Sequence, residues 1–179
     1  MPITAEMIKE LRERSGAGIL ACKKTLEETN GDMNRAQEIL REKGLVIAAK
    51  KAERVARQGL VESYVHLGRM GALIELNCET DFVARTPQFK ELAHDLAMQV
   101  VGAHAQYVKP EDIPAAVLEE QKRSSGPDLT QFYTEVCLLK QLCIKDPSKT
   151  VQDLINDAIA KTGENIVLRR FAHMELGES

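Results

Sequence analysis

The 179-residue chain has no tryptophan, and aromatic residues make up only 4% of it. So few rings argue against a surface that binds nucleic acid by stacking bases. The four cysteines, Cys22, Cys78, Cys137 and Cys143, lie far apart and form no CxxC pair. That spacing argues against a disulfide framework or a cysteine-based zinc site. No apolar run approaches the roughly 18 residues that span a membrane, and the opening MPITAEMIKELRERSG has no apolar signal core. These absences predict a cytoplasmic protein without membrane contact. P-loop, dinucleotide and HExxH patterns are missing, as are internal repeats and low-complexity tracts. The sequence therefore predicts neither a bound cofactor nor an enzyme. Neither sign of charge dominates: 24 basic residues face 27 acidic ones, for a net charge of −3. A mildly acidic chain does not bind nucleic acid through bulk electrostatics. What the chain does have is 44% apolar residues, enough to build a core in one or two small domains.

The first 45 residues read as three short helices. Thr4 fits a helix cap, flanked by Ile3 and Ile8 as a hydrophobic staple. Ser15-Gly-Ala-Gly18 interrupts that helix, and Asn30-Gly31 ends a second. Asp32 fits the cap of a third, whose C-terminal end is predicted at Gly44. Residues 46–58 then read as a helical connector carrying Lys50, Lys51, Arg54 and Arg57. From residue 59 to 179 the pattern is that of an α+β core. Leu60–His66 and Ala72–Cys78 alternate as a hairpin around Gly68-Arg-Met-Gly71. Thr86 and Pro87 mark the start of a strong amphipathic helix, with Phe89, Leu92, Ala93, Leu96, Ala97, Val100 and Val101 on one face. The stretch 105–149, divided by four prolines, is the least regular. Ala115–Arg123 reads as helix, and Glu135–Ile144 reads as a short strand or extended edge. Thr150 with Asp153 then fits a capping box, and Ile166–Leu176 a final strand. The fold class is α+β: a helical N-terminal bundle followed by a small antiparallel sheet packed by helices.

The distinctive segment is Asn77-Cys-Glu-Thr-Asp-Phe-Val-Ala-Arg85, at the corner between a strand and a capped helix. Two readings of it stand. In one, Phe82 plugs the end of the core and Asp81 caps the turn. In the other, Phe82 projects outward as an aromatic anchor, the residue type best suited to carry interface energy, and Asp81 supplies a directional hydrogen bond. The histidines and Cys22 read as structural.

Lys9-Glu-Leu-Arg-Glu-Arg-Ser-Gly-Ala-Gly18, Cys22-Lys-Lys, Thr80-Asp-Phe-Val-Ala84, Asp146-Pro-Ser-Lys-Thr150 and Gly163-Glu-Asn-Ile166 resemble the elongation factor Ts family, in the family's order. The resemblance implies a guanine nucleotide exchange factor for the GTPase elongation factor Tu. It also implies that the N-terminal bundle is similar to a ubiquitin-associated domain. Thr80, Asp81, Phe82 and Val83 would dislodge the partner's Mg²⁺, with Phe82 as the wedge. Arg12, Ile19, Leu20 and Lys23 would grip the partner's G domain; the family often has methionines where this chain has Ile19 and Leu20. Long members carry two core subdomains and this chain has room for one, which implies a homodimer. The stretch Glu119–Phe132 is shorter than is usual in the family, and Leu142-Cys143 stands where a Pro-Phe pair is common. The competing reading is a nucleic-acid-binding module that uses the basic 50–57 segment.

Overall fold

The computed structural model describes residues 3–178. It divides into two compact units: one runs up to Val55 and includes Asn156–Ile166, and the other comprises Ala56–Ile155 with the chain from Val167 onward.

In the first unit, helix α1 covers Ala5–Ser15, α2 Ile19–Glu28 and α3 Met33–Lys51. Each boundary has a local cause. The Thr4 hydroxyl accepts the Met7 N–H at 3.3 Å, and the Asp32 carboxylate accepts that of Arg35 at 3.0 Å. Gly16 ends α1 in the left-handed region at φ 65°, where a side chain would be strained. Leu11, Cys22, Leu26, Ala36 and Leu40 form the core, with Ile3 and Ile8 packed against it.

The third helix does not stop at Gly44. It continues to Lys51, so the 46–58 connector begins inside it. A helical glycine costs about 1 kcal/mol relative to alanine. The following Leu45–Lys51 run is helix-permissive and carries the helix through Gly44, beside which Ala160 leaves room for an ordinary side-chain contact. The segment after the helix is tied within the same unit. The Lys51 ammonium donates to the Gly163 carbonyl, and the Asn165 amide donates to Ala52 O at 3.3 Å and to Arg54 O at 2.8 Å.

In the second unit, strands β1 (Gln58–His66), β2 (Met70–Cys78) and β3 (Val167–Glu175) form one antiparallel sheet in the order β1-β2-β3. Leu67 and Gly68, both at positive φ, make the tight turn of the hairpin. After the single turn α4 (Asp81–Ala84), helix α5 (Pro87–Gly102) buries Phe89, Ala93, Leu96, Ala97 and Val100, while Ala72, Ile74 and Leu76 are the buried face of β2. The α+β reading holds.

In the 105–149 stretch the helix expected at Ala115–Arg123 is present, whereas the strand expected at Glu135–Ile144 is not. Helices α6 (Ala115–Ser125) and α7 (Thr130–Val136) are followed by a 3-10 turn at Leu138–Lys140. Extended pairing near 135–144 is limited to the isolated bridges Tyr107–Cys137 and Leu142–Thr150. Two buried amides serve this backbone instead. Gln99 donates to Leu142 O at 3.1 Å and accepts from Ile144 N at 2.9 Å, while Gln141 donates to Ala103 O and Glu135 O. Helix α8 (Val151–Thr162) starts at the expected reciprocal cap: Thr150 N donates to Asp153 Oδ2 at 3.0 Å, and Asp153 N to Thr150 Oγ1 at 3.1 Å. Among the described residues, no helix is long and apolar enough to cross a membrane.

Candidate partner-binding surfaces

Strand β2 ends at the buried Cys78, whose thiol donates to Thr80 O at 3.1 Å. Thr80 then caps a single helical turn, α4 (Asp81–Ala84), by accepting from Val83 N. Each helical residue rotates by about 100° about the axis. Ala84 and Phe82 therefore face nearly opposite ways. Ala84 faces inward and is buried, so the Phe82 ring is turned out and is 79% exposed. The core-plug reading of Phe82 is thereby overturned: Phe89, the large ring buried near the corner, is 2% exposed. Burying a phenylalanine is worth about 1.5–3 kcal/mol, and Phe82 forgoes that within its own chain. Beside it, Asp81 pairs with Arg85 at 2.8 Å, an exposed contact worth at most about 1 kcal/mol and easily exchanged for a partner's group. Val83 is half-buried at the edge of the same turn.

The second predicted surface lies on the other unit. Gly18 opens α2, so Ile19 and Leu20 fall in its first turn, 56% and 83% exposed. Lys23, one turn on from Ile19, pairs with Glu27 at 3.9 Å and stays exposed. Arg12 projects from α1 into solvent. Ile19 and Leu20 thus present an apolar step at the start of α2, with cationic Lys23 one turn on and Arg12 exposed on α1 of the same unit. The other residue of interest on that helix, Cys22, is buried in the bundle core, as a structural thiol should be.

Two features escaped the sequence reading. The outward parity of the sheet carries Val61, Val65, Leu73 and Met174, all exposed. The alternation that puts Ile74 and Leu76 inside also puts Leu73 outside, so this face could have been found. His104, His173 and Glu175 also converge: one ligand-type atom from each lies within 4.8 Å of the others. Their distance apart in the chain hides this, and only the His-x-Glu spacing on one strand hints at it.

Comparison with known proteins gives these surfaces a context. Residues 5–128 match the family model described as Elongation factor TS. The chain is 51% identical to elongation factor Ts of Carboxydothermus hydrogenoformans, over 98% of this chain and 90% of that protein. It is 46% identical to that of Thermodesulfovibrio yellowstonii, over all of this chain and 98% of the relative. It is 50% identical to that of a Thermotoga strain, over 99% and 98% respectively. The first of these alignments runs over 195 residues against 179 in this chain, so that relative carries residues that are absent here. A family match over more than half the chain, near-complete coverage at about half identity and the Thr80–Ala84 corner converge: the chain belongs to the elongation factor Ts family and has the role of a translation elongation factor.

Proposed function

We propose that the chain is a guanine nucleotide exchange factor that binds elongation factor Tu in its GDP form, displaces Mg²⁺ and promotes GDP release so that GTP can bind. The observation that carries this reading is the Phe82 ring, 79% exposed on a capped helical turn. Thr80 sets the turn, Asp81 offers a carboxylate, Phe82 enters the partner and Val83 packs beside it. Arg12, Ile19, Leu20 and Lys23 hold the partner's G domain.

The mechanism is linkage and involves no covalent step or cofactor. A factor that prefers the nucleotide-free partner weakens nucleotide binding by the same coupling energy. Mg²⁺ demands near-ideal octahedral oxygen geometry, so a small displacement of its ligands loosens it. The setting is the cytoplasm, without membrane or direct nucleic-acid contact. The chain acts as a homodimer, and the exposed apolar face of its sheet supports that state.

The nucleic-acid reading of the 50–57 segment has less behind it. The Lys51 ammonium is engaged by Gly163, and the backbone of Ala52 and Arg54 is engaged by Asn165.

The test is release of fluorescent GDP from elongation factor Tu. Loss of a central aromatic anchor costs about 2 kcal/mol or more, roughly a thirtyfold change in rate. Phe82→Ala should slow exchange by at least that much with an unchanged melting temperature. A wild-type exchange rate for Phe82→Ala would refute the wedge.

A further inference from the structure

Metal-ligating side chains gather at one end of the second unit, away from the Phe82 corner in sequence. Antiparallel partners share a sheet face. His173 stands opposite the buried Ala72, and Glu175 lies two residues further along the same strand. Both therefore belong to the inner side of β3. His104 comes from the end of α5, two residues beyond Gly102. The His104 and His173 rings meet edge to face, with centroids 6.1 Å apart, and His104 Nδ1 is 4.0 Å from Glu175 Oε2.

Three further observations set this cluster apart from an ordinary surface ion pair. His173 Nε2 is buried and meets no hydrogen-bonding partner among the described residues. A buried polar nitrogen without a partner is destabilising, and native structures rarely leave one so. His104 holds φ 49°, a left-handed conformation for a residue with a side chain. That conformation ends α5 at the position just past its cap, and it leaves the His104 ring beside His173 and Glu175. The cluster also lies just past the C-terminus of a 16-residue helix, where the last carbonyls present partial negative charge and favour a cation.

We propose that His104, His173 and Glu175 bind a divalent transition-metal ion of the zinc class, with His173 Nε2 as one ligand. Two imidazoles and one carboxylate form a ligand set that suits Zn²⁺ and leaves one position for water. Ligand atoms about 2.0–2.1 Å from a tetrahedral zinc stand about 3.4 Å apart. The cluster lies within 4.8 Å, so small side-chain rotations close the site. The bound ion pins the C-terminal strand to the end of α5. All four cysteines are buried, and burial holds the Cys137 and Cys143 thiols up at about 11. Those two thiols therefore do not compete for the ion at neutral pH.

The test is calorimetric titration of the full chain with Zn²⁺ alone, alongside its melting temperature with and without Zn²⁺. One saturable site per chain and a Zn²⁺-dependent rise in melting temperature are expected. Glu175→Gln should weaken binding at least tenfold, the lower end of what even outer-shell changes do at metal sites. His104→Gly suits the left-handed backbone, so the variant should fold at least as well without metal while losing the Zn²⁺-dependent rise. His94→Ala, at an exposed histidine outside the cluster, should bind Zn²⁺ as the wild type does. Absence of saturable binding overturns the proposal. So does wild-type binding by His104→Gly, or a loss with His94→Ala equal to that with Glu175→Gln.

Discussion

Two thiols in the second unit show how much a single buried side chain depends on its surroundings. Cys137 and Cys143 are almost fully buried. Desolvation pushes both up to about 11, helped by Asp112 and Glu111 near Cys137 and by Asp146 and Asp153 near Cys143. An unfolded thiol loses its proton near about 8.5. Between that value and about 11 the unfolded chain binds fewer protons than the folded one. Stability therefore falls as pH rises through that window. Other groups titrate there too, so the informative quantity is a difference. Cys143→Ala loses packing at every pH but lacks this alkaline penalty. Its stability deficit relative to wild type should be larger at neutral pH than near about pH 10, as read from urea midpoints. An equal deficit at both pH values would show that the thiol does not titrate as its burial dictates.

At the scale of elements, one hydroxyl joins the functional turn to the helix behind it. Thr86 Oγ1 accepts from Phe89 N at 3.2 Å, which caps α5, and donates to Val83 O at 2.8 Å, which closes α4. Thr86→Ala should cost about 1 kcal/mol of unfolding free energy, the usual value of a cap. It should also loosen the turn that holds Phe82. Exchange should slow less than for Phe82→Ala, and Thr86→Ser should restore both stability and rate. Caps of this kind were legible in the sequence, because Thr4, Asp32, Thr86 and the Thr150–Asp153 pair each act within four residues of themselves. The path of α3 through Gly44 was not, because it is decided by the helix-permissive residues on both sides of a glycine that also fits a helix end. Nor was the 135–144 stretch, whose backbone partners come from Gln99 and Gln141 rather than a strand. The candidate site was half legible. The composition of the Thr80–Ala84 motif marked the corner, but the outward turn of Phe82 depends on α4 forming a helical turn that buries Ala84.

For the whole molecule, the question is what covers the outer face of the sheet. The register places Val61 opposite Glu75, Ser63 opposite Leu73, and Gly71 opposite Met174, so these residues share one side. Leu73 is 52% exposed and Met174 75% exposed. A contiguous exposed apolar patch marks an interaction surface, whereas scattered single apolar residues do not. The charges on this side do not spoil it. The Arg170 guanidinium donates to Glu75 at 2.8 Å and holds its carboxyl below the usual carboxylate range, and Arg169 lies 4.0 Å from the same carboxylate, so Glu75 is balanced by cations on the neighbouring strand. A second copy offers the same surface, and a two-fold interface is self-complementary by construction. Leu73→Glu places a carboxylate in the middle of this face without touching the core beneath. It should convert the dimer expected for the wild type at micromolar concentration into a species of 19.9 kDa in sedimentation, with unchanged circular dichroism. Wild-type protein that already sediments at that mass would leave the sheet face without its proposed partner, and exchange would then have to be the work of a single chain.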